Sequence, residues 1–320
     1  MNKCSNRDCH APDIGCSLGE TDLSKCEYWN STGDESKQTD SVIEKDIHLP
    51  WTGLTFGLDD VGFLTGCSKP KIVGVLGAEN AGKTSLLAAW YLLVSRGLDR
   101  TLQRQFAGSY TLEGWEAVSS NLRWEPGHLP CFPAHTPSGI KRAPGLLHMS
   151  FKNKIDGIIE DYLFADAPGE WFSKWATHSE GPEAEGARWL STNADIFLLI
   201  ADRQALSGEK KGRTRAELNR LIQRIGSTIQ NRPIALVWSK SDIQGDELIE
   251  NTIRNNTLST IPHIAEFETQ IIRNDNIKDS SGKNILILLK WILEQKMSIC
   301  ELPTVNYRGN DPLFMLGQES

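Results

Sequence analysis

A short apolar run, a glycine-containing loop and the start of an amphipathic segment follow one another directly between Ile72 and Leu87. The loop carries the pattern GxxxxGKT from Gly77 to Thr84. Glycines in such a loop let backbone N–H groups point at a polyphosphate, and the following helix N-terminus adds the positive end of its dipole. The order of strand, loop and helix therefore favours a phosphate-binding loop over a chance loop with a surface lysine.

Two side chains of this loop have expected contacts with a nucleotide bound together with Mg²⁺. Lys83 is expected to face solvent and to reach the β- and γ-phosphates, and the Thr84 hydroxyl is expected to ligate Mg²⁺. The residues predicted to hold the nucleotide in this loop are Gly77, Ala78, Glu79, Asn80, Ala81, Gly82, Lys83, Thr84 and Ser85.

Short apolar runs alternate with longer amphipathic segments from Lys71 onwards, which is typical of a parallel sheet built from βαβ units. The runs occupy residues 72–76, 162–165, 196–200 and 234–238. Apolar residues at helical spacing from Leu218 to Ile225 predict a helix with one buried face, and residues 285–293 predict a terminal helix against the sheet. The predicted fold class is α/β: a P-loop three-layer sandwich with a mostly parallel sheet, plus a small Cys-rich N-terminal module.

Changes of composition divide the chain into segments. Residues 1–26 hold a cysteine cluster, and residues 27–46 have the polar composition of a linker. The linker and lead-in together are predicted to span residues 27–69. Residues 70–295 are predicted to form the nucleotide-binding domain, with an insertion at about residues 101–150 that contains five prolines. Residues 296–320 are predicted to be a C-terminal tail.

The overall composition excludes several classes of protein. Apolar residues make up 39% and charged residues 23% of the chain, which is ordinary for a globular protein. The net charge of −7 argues against a general electrostatic grip on nucleic acid or anionic membrane. No apolar run resembles a signal peptide or has the length of a membrane span. We therefore expect a cytoplasmic protein without a membrane span or a nucleic-acid partner.

Four of the seven cysteines, Cys4, Cys9, Cys16 and Cys26, lie within the first 26 residues. They offer four thiolates to a tetrahedral Zn²⁺ site, which would organise a segment too short to have its own core, and His10 is an alternative ligand. The spacing departs from the paired CxxC of zinc ribbons, so a reduced tail without metal stays open. If metal is bound, the scarcity of nearby cations favours protein docking over DNA binding.

A second motif, formed by Asp166, Ala167, Pro168, Gly169 and Glu170, directly follows the run at 162–165. A carboxylate at the C-terminal end of such a strand can hold Mg²⁺ through water, and a following glycine can donate its N–H to the γ-phosphate. Alone, this sequence is equally typical of a Pro-Gly turn. Paired with the phosphate-binding loop, it indicates the second half of a Mg²⁺-nucleotide site.

A third motif selects the base. Ser239, Lys240, Ser241 and Asp242 follow the run at 234–238. An aspartate here would accept hydrogen bonds from guanine N1–H and the N2 amino group, which adenine cannot supply. The stem of Lys240 would lie over the base plane. A polar strand-to-helix loop is the alternative, because the motif is short and begins with serine instead of asparagine or threonine.

In order, GAENAGKT, DAPGE and SKSD resemble the G1, G3 and G4 elements of the TRAFAC-class GTPases, over about residues 70–295. More narrowly, the chain resembles the bacterial double-GTPase family, whose domains are regarded as regulators in multi-gene conflict or defence systems. The segments that carry this narrower resemblance are His135-Thr136-Pro137 before Leu146-Leu-His148-Met, DAPGEWF at 166–172 and ADIFLLI at 194–200.

The resemblance implies roles for further residues. Thr136 becomes the switch I threonine that closes on Mg²⁺ and the γ-phosphate, beside the predicted metal ligands Thr84 and Asp166. A threonine in a Pro-rich loop is its alternative. Glu170 stands where many Ras-like enzymes place the glutamine that positions the attacking water, and a carboxylate there would repel the γ-phosphate unless neutralised. Lys83, Thr136 and Glu170 are thus the predicted catalytic residues, with slow intrinsic turnover.

The resemblance also bears on two further parts of the chain. Lys141 and Arg142 in the insertion could supply transition-state charge in cis, with surface solvation as the alternative for each. The fifth GTPase element is expected after residues 270–273.

The function that these motifs predict is a GTP-binding and GTP-hydrolysing switch that uses Mg²⁺. Its implied setting is a multi-protein bacterial defence or signalling system, with an effector or a second GTPase as protein partner. A non-hydrolysing nucleotide-bound scaffold is one alternative. An ATPase of the same fold is another, which the SKSD motif disfavours.

We expect Asp242→Asn to lower the affinity for GDP and to raise the affinity for XDP, because the amide reverses one donor and acceptor at the contact with the base. Competition of both nucleotides against a fluorescent analogue measures this shift. An unchanged preference would mean that Asp242 does not contact the base.

Overall fold

The computed structural model describes residues 16, 18–19, 21–29, 55–58, 60–66, 68–97, 102–123, 144–271, 282 and 284–296. The chain divides into two compact units, Met1–Leu49 and Pro50–Ser320. The fold described below belongs to the larger unit. No described helix has both the length and the apolar character needed to cross a membrane.

A mostly parallel sheet forms the centre of the larger unit. Its described strands are β1 (Lys71–Gly77), β2 (Arg104–Gly108), β3 (Gly145–Asn153), β4 (Ile159–Asp166), β5 (Ile196–Asp202), β6 (Ile234–Ser239) and β7 (Ala265–Glu268). The strand order is β2-β3-β4-β1-β5-β6-β7. Pairing is parallel from β4 through β1, β5 and β6 to β7, and antiparallel between β2 and β3 and between β3 and β4.

Helices cover both faces of this sheet. The described helices are α1 (Val61–Thr65), α2 (Lys83–Ser95), α3 (Leu112–Ser119), α4 (Gly169–Thr177), α5 (Glu185–Asn193), α6 (Arg203–Ser207), α7 (Lys211–Gly226), α8 (Glu247–Thr260) and α9 (Ile285–Glu294). One hydrophobic core lies between the sheet and α4, α5, α7 and α8, and the other lies between the sheet and α2, α3 and α9. The three-layer α/β prediction is therefore confirmed.

The central strands explain why the sequence revealed the sheet. Every residue of β5 and of β6 is buried. Parallel strands that are covered on both faces read as nearly continuous apolar runs. The four predicted runs lie in β1, β4, β5 and β6, and the two predicted helices lie in α7 and α9.

The segment at 101–150, which the sequence favours as an insertion, contributes directly to the sheet. It contains β2, α3 and the first part of β3. Trp115 of α3 is fully buried, and its Nε1 donates to the carbonyl oxygen of His148 on β3 over 2.8 Å. The described parts of this segment therefore extend the core on one side of the fold.

Within the larger unit, residues that precede β1 pack against the sheet. Phe56 is fully buried and exchanges two backbone hydrogen bonds with Leu146, of 2.9 and 3.0 Å. Further along, the Ser68 hydroxyl donates to the Asp161 carboxylate over 2.6 Å. These contacts attach the chain to β3 and β4 before it enters β1.

Candidate functional site

The three predicted motifs meet at one edge of the sheet. β1 pairs in parallel with β4 and with β5, and β5 pairs in parallel with β6, so their carboxyl ends point the same way. The loop of residues 77–82, the start of α4 and the loop after β6 all begin at these ends. In open α/β sheets, this edge is where ligands bind.

The backbone of the phosphate-binding loop depends on its glycines. Gly82 has a φ of 89° and is the N-cap of α2, and without a side chain it leaves the first N–H groups of the helix open to an anion. A Cβ on Gly77 would lie 3.0 Å from the carbonyl oxygen of Ile200, so the turn out of β1 is packed tightly against β5. This geometry fits a bound polyphosphate.

Lys83 does not face solvent, so that expectation is wrong. Its side chain is buried, and Nζ donates to the carbonyl oxygens of Gly77 over 3.2 Å and Ala78 over 2.7 Å. Burial lowers the pKa of the ammonium to about 8, although the carboxylates of Asp166 and Glu79 act in the opposite direction. A buried ammonium must be hydrogen-bonded, and these two carbonyl oxygens meet that requirement.

Two oxygen ligands meet at the predicted Mg²⁺ position. The Thr84 hydroxyl, in the first turn of α2, donates to Asp166 Oδ1 at the end of β4 over 3.0 Å. Hydroxyl and carboxylate oxygens suit a hard cation such as Mg²⁺, which takes few protein ligands when a phosphate completes its shell. The pair therefore fits the metal that the sequence predicted there.

Gly169 brings α4 into direct contact with the phosphate-binding loop. A Cβ at this position would lie 2.3 Å from the backbone nitrogen of Glu79 and 2.4 Å from the carbonyl carbon of Ala78, so only glycine fits. Glu170 follows in the first turn of α4 and is half-buried. The next residue, Trp171, is buried in the core and holds this end of the helix in place.

The loop after β6 is held by neighbouring strands. Lys240 has a φ of 56°, and its Nζ donates to Asp202 Oδ2 over 2.7 Å and to Gln204 Oε1 over 3.0 Å. The backbone N–H of Ser241 donates to the carbonyl oxygen of Thr269 over 3.1 Å. Asp242 follows in the same loop and is half-buried. The ion pair of Lys240 draws its stem from the end of β6 toward the end of β5.

Sequence reasoning missed Asp202. Asp202 ends an apolar run as Asp166 does, and that shared position was the signal that could have found it. β7 ends at Glu268 and is followed by the buried Thr269 and Gln270. The fifth GTPase element, expected after residues 270–273, falls on residues outside the described part of the chain and stays a prediction.

Several predicted residues lie outside the described part of the chain. They are Thr136, Lys141, Arg142, Cys4, Cys9 and His10. Their roles stay predictions.

In the smaller unit, Cys16 and Cys26 are neighbours. Both thiols are free, and their Sγ atoms lie 3.9 Å apart, well beyond the roughly 2.05 Å of a disulfide bond. Among the residues that the structure describes, no three His, Cys, Asp or Glu side chains form a group able to hold a metal.

The family follows from a sequence match that spans the site. Residues 71–292 match the family model named Double-GTPase 2. The chain belongs to the Double-GTPase 2 family. This match includes the phosphate-binding loop, the Asp166 motif and the SKSD motif, and it confirms the narrower resemblance inferred from the sequence. Among curated proteins, none is significantly similar to this chain.

Solved structures with similarity to this chain are distant in sequence. Era in complex with MgGDPNP and a segment of 16S ribosomal RNA is 18% identical with a TM-score of 0.34, covering 70% of this chain and 56% of that chain. An Era variant from Aquifex aeolicus bound to GDP and aluminium fluoride is 15% identical with a TM-score of 0.32, at coverages of 70% and 56%. A variant of SsGBP is 15% identical with a TM-score of 0.34, at coverages of 73% and 56%. The chain thus spans about half the length of these proteins.

We expect Lys83→Ala to weaken GDP and GTP binding by about tenfold to a hundredfold, because a charge-assisted contact with phosphate contributes roughly 1.5–3 kcal/mol. Isothermal titration with Mg²⁺ present measures the loss. The matched control is Lys290→Ala, which removes a half-exposed lysine of α9 and should leave both affinities unchanged. Equal affinities for wild type and Lys83→Ala would contradict the phosphate role of Lys83.

Proposed function

We propose that this Double-GTPase 2 protein is a Mg²⁺-dependent GTPase that acts as a regulatory switch. The observation that carries the proposal is that Asp166 and Gly169 both meet the phosphate-binding loop, Asp166 at Thr84 and Gly169 at Ala78 and Glu79. Thr84 and Asp166 are hydrogen-bonded over 3.0 Å, and Gly169 contacts the backbone of Ala78 and Glu79. One ligand with phosphates and a bound Mg²⁺ would contact all three elements at once.

Each element has a distinct task in this proposal. The N–H groups around Gly82 and the Lys83 ammonium hold the β- and γ-phosphates, and Thr84 with Asp166 holds Mg²⁺. Mg²⁺, when bound, neutralises charge on the phosphates. On binding, Lys83 exchanges its bonds to the carbonyls of Gly77 and Ala78 for phosphate oxygens. Those carbonyl bonds keep the buried ammonium satisfied before the ligand arrives.

The base is proposed to be guanine, recognised by the loop that contains Asp242. A carboxylate accepts from the guanine N1–H and N2 amino group, whereas adenine presents no such pair of donors. The Ser241 hydroxyl oxygen in the same loop is buried without a hydrogen-bond partner among the described residues. Such an atom supports a ligand-binding loop, since buried polar groups are normally paired.

The switch is proposed to operate through α4. Gly169 leaves no room for a Cβ between α4 and the phosphate-binding loop, so a γ-phosphate beside Glu79 changes the contact on which α4 rests. The buried Phe172 of α4 lies beside α7 at a small cleft that also includes Ala78 and Leu218. A shift of the helix would therefore reach the surface of α7, where an effector or second GTPase could detect it.

Hydrolysis is proposed to depend on Glu170. Its position in the first turn of α4 follows the residue that touches the phosphate-binding loop, which supports a place near the γ-phosphate. There a carboxylate can orient or deprotonate the attacking water. Thr136 is proposed to complete the Mg²⁺ ligands. The intrinsic rate is proposed to be slow, because the carboxylate charge also repels the phosphate.

The biological setting of the protein and a metal site in its smaller unit are also proposed. We infer a role in a bacterial defence or signalling system with protein partners from the family resemblance alone. A zinc site formed by Cys4, Cys9, Cys16 and Cys26 is proposed for the N-terminus. Its support is the 3.9 Å between the Cys16 and Cys26 sulfurs, close to the roughly 3.8 Å edge of a tetrahedron with 2.3 Å Zn–S bonds.

We expect Glu170→Ala to slow single-turnover GTP hydrolysis by about 10²–10⁴-fold with GTP affinity nearly unchanged, because a lost general base costs about that much. Glu170→Gln is the matched variant, since it keeps the shape and removes the charge. If the carboxylate mainly repels the γ-phosphate, Glu170→Gln would instead hydrolyse GTP faster and bind it more tightly. Unchanged rates in both variants would remove Glu170 from the mechanism, and no hydrolysis by wild type would favour a nucleotide-bound scaffold.

A further inference from the structure

A buried ion pair lies directly beneath the loop that is proposed to bind the base. Arg203, the first residue of α6, donates from Nε to Glu250 Oε1 over 2.7 Å and from Nη2 to Glu250 Oε2 over 3.1 Å. Nη2 also donates to Glu268 Oε1, in the last residue of β7, over 3.0 Å. Arg203 and Glu250 are both buried. One guanidinium therefore connects α6, α8 and the end of β7.

The residue before Arg203 holds the other side of the same loop. Asp202 Oδ1 accepts from the backbone N–H groups of Gln204 and Ala205 and so caps α6. Its second oxygen, Oδ2, accepts from Lys240 Nζ over 2.7 Å. Asp202, the last residue of β5, thus contacts the loop after β6. Arg203, the first residue of α6, contacts the end of β7.

The base-binding loop, defined here as residues 239–245, rests on this ion pair. A Cβ added to Gly245 would lie 1.7 Å from Glu250 Oε1 and 3.1 Å from Arg203 Nε. Gly245 therefore lies directly against the ion pair. It is the third residue after Asp242 in the sequence. The same loop is fixed at Lys240 by Asp202 and at Ser241 by the carbonyl oxygen of Thr269.

We propose that the Arg203–Glu250 pair is a specificity-determining support that positions Asp242 against the base. The inference rests on the proposed function, because it assumes that residues 239–245 bind guanine. Arg203 and Glu250 do not touch the base in this account. They act through Gly245 and through the end of β7.

The physical reason is that base discrimination requires a fixed carboxylate. Two hydrogen bonds to guanine are lost if the acceptor moves by a fraction of an ångström, so its loop must be held by rigid neighbours. A bidentate contact between a guanidinium and a carboxylate has a defined plane and direction, which a single ammonium contact lacks. Trp238, two residues before Lys240, adds a further surface, with the Arg203 guanidinium 5.9 Å from its ring centroid.

A second ion pair, at the opposite edge of the sheet, offers a comparison: its lysine, Lys71, is buried, and its glutamate, Glu160, is half-buried. Lys71, at the start of β1, donates to Glu160 Oε1 over 2.7 Å. It lies at the amino end of β1, whereas the phosphate-binding loop follows the carboxyl end. Disturbing it should lower stability without moving the base-binding loop.

The test compares GDP with IDP, which differs only by lacking the exocyclic N2 amino group. We expect wild type to prefer GDP by about tenfold or more, as for a hydrogen bond to a charged group. Arg203→Lys keeps the charge but loses the two parallel bonds, and Gly245→Ala forces the loop away from Glu250. Both should reduce the preference to about threefold or less, whereas Lys71→Met should keep it. Losses common to phosphate and ribose cancel in this ratio.

The outcomes separate the inference from the proposed function. A wild type that binds ADP as well as GDP would refute the guanine assignment itself. A guanine-selective wild type whose Arg203→Lys and Gly245→Ala variants keep the full preference for GDP over IDP would overturn the inference. An equal loss of preference in Lys71→Met would also overturn it, because general loosening would then suffice. Should Arg203→Lys fail to fold by circular dichroism, Gly245→Ala decides the question.

Discussion

The parallel pairing of β1 with β4 on one side and with β5 on the other determines the rest of the site. It sets the carboxyl ends of three buried strands side by side, so that Thr84 and Asp166, 82 positions apart in the chain, are joined by a 3.0 Å hydrogen bond. Most residues of β1, all residues of β5 and the carboxyl half of β4 up to Ala165 are buried, so packing against the core helps to fix their register. The packing of the core therefore helps to fix the positions of the site residues.

Gly169 forms a close contact between α4 and this edge of the sheet. Its position against the backbone of Ala78 and Glu79 excludes any side chain, and it belongs to α4, which packs through Trp171 and Phe172 on the core. In the proposed site, α4 lies against the phosphate side, and the Arg203–Glu250 pair is proposed to support the base side. If both proposals hold, substitutions at these two supports should alter nucleotide selectivity and switching separately.

The fold class and the motifs could be predicted from the sequence, because both depend on short, contiguous patterns of residues. Fully buried parallel strands such as β5 appear as unbroken apolar runs, and the phosphate-binding loop is a contiguous motif. Long-range partners were not predictable. Nothing near Lys83 indicated that it would turn inward to Gly77 and Ala78, and nothing near Arg203 indicated Glu250, 47 positions away. The Pro-rich stretch at 126–144 suggested an insertion, so β2 and α3 were not predicted. The pairing of β2 with β3 is also irregular, with a shift of register between Phe106 and Gly108.

The central claim is that one Mg²⁺-dependent site, built from the phosphate-binding loop, Asp166 and the SKSD loop, holds a guanine nucleotide. The most direct measurement is competition of GDP and ADP against a fluorescent nucleotide, with Mg²⁺ and with excess chelator. The account predicts that GDP binds at least about tenfold more tightly than ADP and that triphosphate binding weakens when Mg²⁺ is removed. Equal affinities for GDP and ADP, or GTP binding that is indifferent to Mg²⁺, would contradict it.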